Sequence, residues 1–247
     1  MSAKSPIVGS STIESTTFEG FAQPRIRGTG YRLVPSQFPP IGVFDSLSSP
    51  DDAINAMKLE SLTNDRLQLP LRRAQLLAKT EDWLLGVPGA TVVMASFLHA
   101  SPDGGRFTQG ALGAWYAARS RNTAIAETVY HQTKRIKASV GLQMHATIAM
   151  RELTHQLDAR LVDVRGTSVR HPEFYDADSY EKSQPFGERA RTSGASGIIY
   201  DSVRHEAGTC LVIYKPRIIP PVKQGVHLEY RWSGSETPDV LMLERLQ

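Results

Sequence analysis

The second half of the chain is a succession of short β-rich segments, Leu161 to Val164, Gly197 to Val203, Cys210 to Tyr214 and Val226 to Trp232, separated by glycine, proline or charged turns. They read as strands of one mixed or antiparallel sheet, and a sheet with an apolar face has to bury it against other elements. Helical signals come earlier. Ser49-Pro50-Asp51-Asp52 offers a cap, a first-turn proline and acids at the amide end, followed by Ile54, Met57, Leu59 and Leu62. Leu71 to Leu85 supplies a second helical stretch. Thr123 to Lys137 has Ile125, Val129 and Ile136 on one side, with Ser120, Asn122 or Thr123 as its cap. Val92 to Leu98, β-branched and apolar, reads as a buried strand ending at the turn Ser101-Pro102-Asp103-Gly104-Gly105. With no repeat and no dividing linker, the expectation is a single α+β domain, a mixed or antiparallel sheet core flanked by helices, preceded by a flexible segment over 1–20.

At 247 residues the chain is long enough to bury roughly 70–75% of its unfolded surface without a staple. Its lone cysteine, Cys210, forms no internal bridge and points to a reducing, cytoplasmic setting. The start of the chain lacks the basic and apolar stretches of a signal peptide, so the mature protein is expected to begin where the gene does. The apolar run Ala90 to Leu98 is far below the roughly 20 residues of a membrane span. Basic and acidic residues nearly balance, 28 against 25, and are interspersed, so no polyanion-binding footprint emerges; the basic cluster Lys134 to Lys137 reads as a solvated helix end.

Several chemistries are missing. There is no P-loop, Gly28-Thr29-Gly30 lacks the third glycine of a dinucleotide fingerprint, and none of the seven histidines forms a zinc-binding pair. Gly194-Ala195-Ser196-Gly197 lacks the spacing of a nucleophile elbow. An enzyme built from this chain would therefore use scattered Arg, Tyr, Glu and Ser side chains and no metal. Three places carry such groups. Gly28-Thr29-Gly30-Tyr31-Arg32 reads as a flexible turn leading into an arginine. Gly104-Gly105-Arg106-Phe107, Trp115-Tyr116 and Thr123-Ala124-Ile125-Ala126-Glu127 put an arginine, an aromatic pair and a first-turn helix carboxylate within a short span. Gly197-Ile198-Ile199-Tyr200-Asp201-Ser202-Val203-Arg204 is an apolar strand breaking into polar groups.

From about Phe21 to Gly234 this ordered series resembles the RES family, named for its Arg, Glu and Ser. The likeness includes Gly-Gly-Arg106-Phe, the Tyr116-Ala-Ala stretch, the run from Thr123 through Glu127 to His131, Asp163-Val-Arg165, the run through Ser202 to Arg204, and His227 to Trp232. It implies Arg32, Glu127 and Ser202 as the name-giving residues, Arg106 and Tyr116 as further pocket positions, and an ADP-ribosyltransferase-like fold. Thr108 stands where many members have Asn, and extra residues, a helical insertion about 44–90, resemble a longer branch of the family.

The implied function is a toxin that cleaves the nicotinamide–ribose bond of NAD and so arrests growth, with NAD as substrate and no cofactor. A cognate Xre-type antitoxin is the implied partner, with no direct nucleic-acid or membrane contact and with self-association possible. Glu127 would stabilise the oxocarbenium-like ribose, Arg32 and Arg106 would hold the diphosphate, Tyr116 and Tyr31 would pack on nicotinamide or ribose, and Ser202 would orient a phosphate, hydroxyl or acceptor. The final acceptor of ADP-ribose stays open among water, inorganic phosphate and a protein, and two further alternatives remain: nucleotide binding without cleavage and a structural Arg32–Glu127 ion pair.

Overall fold

The computed structural model describes residues 17–36, 43–61, 68–77, 82–140 and 145–243. Most of the 1–20 lead-in, Leu62 and the Pro39-Pro40 pair lie outside the described residues. Two short strands, β1 (Thr17–Phe18) and β2 (Phe21–Ala22), pair with each other. An eight-stranded sheet follows, made of β3 (Arg25–Pro35), β4 (Trp115–Ala118), β5 (His145–Arg160), β6 (Val162–Asp163), β7 (Gly197–Asp201), β8 (Thr209–Ile213), β9 (Val222–Ser233) and β10 (Asp239–Leu243). Its order is β10-β9-β5-β3-β4-β8-β7-β6, antiparallel throughout except for the parallel β6–β7 pair. The expected α+β class with a mixed, mainly antiparallel sheet is what the chain adopts.

Among the described residues, six α-helices flank the sheet: α1 (Val43–Ser46), α2 (Pro50–Ser61), α3 (Gln68–Leu76), α4 (Ala90–Leu98), α5 (Arg121–Val140) and α6 (Gln184–Thr192). Helix α2 starts as its sequence dictates, with the Ser49 hydroxyl accepting from the Asp52 amide at 3.1 Å. Its inner face carries Ala53 and Met57, whereas Leu59, expected on that face, is 72% exposed. The second helical stretch is shorter than Leu71 to Leu85, ending at Leu76.

Val92 to Leu98 is a helix, not the expected strand. Its run is apolar on nearly every side because α4 is buried deeply, with Ala90, Val93, Met94, Phe97 and Leu98 in the core, so no periodicity shows. The helix start is capped from a distance. Asp45 on α1 accepts from the amides of Gly89 (2.9 Å) and Thr91 (2.7 Å) and from the Thr91 hydroxyl (2.6 Å), and these tertiary bonds override the β preference of Thr, Val and Phe.

The Gly28–Arg32 segment is likewise not a turn. It is the middle of β3, paired residue for residue with β5 from Arg25↔Arg160 to Pro35↔Met150. Its glycines admit side chains from above. The Arg119 guanidinium lies over Gly28 and donates to Arg27 O (2.8 Å) and Thr29 O (2.9 Å), while the His155 ring covers Gly30 so closely that any Cβ there would overlap it.

Register divides the residues between two faces. Tyr31 pairs with Ala118 and Ala118 with Cys210, so these three share one face with Tyr116 and Tyr200, and α5 lies over it. Arg32, Gly30, His155 and Trp115 point to the opposite face, toward α4. There the His155 ring meets Trp115 edge-on at 5.6 Å, and neither ring nitrogen has a hydrogen-bond partner among the described residues.

Burial, with Arg119 and Arg32 nearby, pushes the His155 imidazole down to about 4. An unfolded histidine titrates near 6.5, so on acidification the unfolded chain takes up this proton first. The stability owed to neutral His155 is complete above pH ~6.5 and is lost as pH falls toward about 4. His155→Leu should shrink the loss of unfolding free energy between pH 7 and pH 4 by roughly 3 kcal/mol, measured by urea unfolding of both proteins at each pH.

Candidate active site

Helix α5 begins at Arg121 because the Ser120 hydroxyl accepts from the Thr123 amide at 3.2 Å. Glu127 is therefore the seventh residue of the helix, in its second turn, and not in the first turn as its sequence context predicts. The free amides of the helix start are a turn away, so its carboxylate is held by side chains. Ser202, just past the end of β7, donates to Glu127 Oε1 at 2.6 Å. The same hydroxyl oxygen accepts from the amides of Arg204 and His205, each at 3.1 Å. With its lone pairs so engaged, the single hydroxyl proton is aimed at the carboxylate.

A second donor comes from β8, where the Cys210 thiol lies 3.5 Å from the same Oε1. Burial and the negative charge of Glu127 push this thiol well above its ordinary range, so it stays protonated and able to donate.

The aromatic wall comes from β4. The Tyr116 hydroxyl accepts from the Phe107 amide at 3.0 Å and shares a 3.0 Å bond with Thr108 Oγ1, and burial pushes its phenol up to about 12. Thr108 thus helps to fix the ring. Gly105 lies flat against that ring, with room for no side chain, since a Cβ would come within 2.7 Å of the Tyr116 oxygen. Arg106 is only 6% exposed; its Nη1 donates to Phe174 O (2.8 Å) and Asp176 O (2.9 Å), and its guanidinium stands 4.8 Å over the Tyr180 ring.

Glu127, Ser202, Tyr116 and Tyr31 thus belong to one side of the sheet. Arg32 does not join them there. It lies behind the sheet, 4.9 Å over Trp115, and its Nη1 reaches the Tyr116 carbonyl at 2.8 Å where β3 and β4 diverge. Burial lowers its guanidinium to about 10, which leaves it cationic at neutral pH. The structural Arg32–Glu127 ion pair is therefore not formed.

Four residues join the site that the sequence did not single out for a role. Tyr130 and His131 stand three and four positions after Glu127, a helical spacing that would have found them. Arg204 lies 3.4 Å over the Tyr130 ring, and Tyr180 sits in electrostatic reach of Glu127, Arg106 and Arg204. Tyr180 had no local signal, because it comes from an irregular loop.

Ser202→Ala removes one bond to Glu127 and the acceptor for two amides. We expect a stability loss of about 1–3 kcal/mol in denaturant unfolding, and faster amide exchange at Arg204 and His205 than in the wild type.

The chain as a whole is similar to known proteins. A sequence model of the RES domain matches residues 78–233, which include Glu127 and Ser202 and leave Arg32 outside. The uncharacterized protein y4oC of Sinorhizobium fredii is 28% identical over 219 residues, covering 85% of each chain. Among solved structures, that of the M. tuberculosis MbcT–MbcA toxin–antitoxin complex matches with a TM-score of 0.45 and 12% identity, over 85% of this chain and 87% of that one. The domain match extends over well more than half of the chain, and the protein belongs to the RES domain family.

Proposed function

We propose that this protein consumes NAD by breaking its nicotinamide–ribose bond, and that it serves as the toxin of a toxin–antitoxin pair. The observation that carries the reading is the 2.6 Å bond between Ser202 and Glu127, which joins the family's Ser and Glu across 75 residues of sequence. A carboxylate fixed by two side-chain donors, on a face that also bears Tyr116 and Tyr31, suits a reaction in which positive charge builds on a sugar.

The C1′–N bond breaks heterolytically, and its electron pair leaves with nicotinamide, whose ring nitrogen is cationic in NAD and needs no proton. Water adds to C1′ and releases one proton, giving ADP-ribose. Glu127 stabilises the ribosyl cation and holds the 2′-hydroxyl, an interaction that strengthens as the charge develops. Tyr116 and Tyr31 supply stacking surfaces, and Arg106 supplies positive charge for the diphosphate. Arg32 acts from behind the sheet, holding β4 and with it the Tyr116 main chain. The cognate antitoxin, of Xre type by family resemblance, would block this face.

The antitoxin-free protein should release nicotinamide from NAD, followed by chromatography. Glu127→Gln is expected to lower kcat by about 10²–10³-fold with little change in KM. Tight NAD binding without nicotinamide release would replace this reading with that of a binding module, and label transferred from NAD to protein would replace it with ADP-ribosylation.

A further inference from the structure

Two cations near Glu127 are occupied by one loop. Arg106 donates to the carbonyls of Phe174 and Asp176, and Arg204 Nη2 donates to the carbonyl of Ala177. The same loop lays Tyr180 against Arg106. It is tethered to α5 by the Tyr130 hydroxyl, which contacts Ala177 O (3.1 Å) and Asp178 Oδ1 (3.2 Å). Its crest, 176–179, is open to solvent. The Asp176 carboxylate turns back on its own chain, accepting from the amides of Asp178 (2.8 Å) and Ser179 (2.9 Å), so the loop meets both guanidiniums with neutral carbonyls. Arg204 also keeps a donor in reserve, for its Nε is buried with no partner among the described residues.

Neutral carbonyls are weaker partners for guanidinium than phosphate oxygens, which bring charge and a matching fork geometry. A diphosphate presents several such oxygens in a span that two neighbouring arginines can grip. We propose that the loop Phe174–Tyr180 is a built-in stand-in for the diphosphate: its carbonyls occupy Arg106 and Arg204, and a nucleoside diphosphate binds by displacing them. This rests on the NAD reading above and extends it. It adds Arg204 to the substrate-binding groups and makes loop release part of substrate entry. The site then has a resting state in which Arg106 Nη1 and Arg204 Nη2 are held by loop carbonyls.

The test weakens the loop without touching either cation. Tyr130→Phe keeps the ring under Arg204 and removes the hydroxyl tether, and Asp178→Ala removes part of the same tether from the loop side. Calorimetric titration with ADP-ribose and, separately, inorganic pyrophosphate is combined with hydrogen exchange of the loop amides. Both variants should show faster loop exchange and bind ADP-ribose about two- to tenfold more tightly than wild type, the scale of one hydrogen bond. Unchanged or weaker affinity in the variants overturns the stand-in, while ADP-ribose binding to the wild type would keep the NAD reading alive. Tighter pyrophosphate binding by the variants with no ADP-ribose binding to any protein would uphold the stand-in and sink the NAD reading. No binding of either ligand would overturn both.

Discussion

The register of β3 against β5 decides what each side of this molecule can do. Eleven consecutive pairs hold the two strands together, and because side chains alternate, a slip of one residue would exchange Tyr31 and Arg32 between the faces. The slip is blocked by shape. His155 needs a position without a side chain opposite it, and Gly30 is that position. From this contact follow the placement of Tyr31 over the Glu127 side and of Arg32 over the Trp115 side, and through Ala118 and Cys210 the alignment of β4 and β8 with both.

A second theme is how the chain handles buried positive charge. Arg32, Arg73, Arg106, Arg119 and Arg191 all direct their guanidiniums at main-chain carbonyls. Arg73, 2% exposed, joins Leu98 O (2.8 Å) to Gly110 O (2.7 Å), and Arg191 joins Leu112 O (3.0 Å) to Gly113 O (2.7 Å). A planar fork of donors can satisfy two carbonyls of a loop that no ladder reaches. In a protein with one cysteine, such arginines do the cross-linking that disulfides do elsewhere, and the long connection between α4 and β4 is fastened this way at both Gly110 and Gly113.

Local chemistry was legible where the cause was local. The cap at Ser49, the helix around Glu127, the strand leading to Ser202 and the strand of Cys210 could be read from spacing and composition. The longest strand, β5, could not, since Ala146, Met150, Glu152, Leu153 and Gln156 favour helix and only its two neighbouring strands make it extended. Glycines in β3 signalled a turn because the side chains that need their space, Arg119 and His155, are far away in sequence. That Ser202 reaches Glu127, and that Arg32 lies behind the sheet, depends on tertiary contact and strand parity, which one motif cannot reveal. Tyr180, supplied by a loop, enters the site through tertiary contacts alone.

Cys210 has a practical consequence. Its sulfur is buried, and burial together with the carboxylate next to it keeps the thiol protonated, so a maleimide added to the native chain has almost nothing to attack. As the single thiol of the protein, it becomes a clock: the speed of alkylation reports how often the middle of the sheet opens, and any ligand that tightens this region would slow the labelling without competing for the sulfur itself.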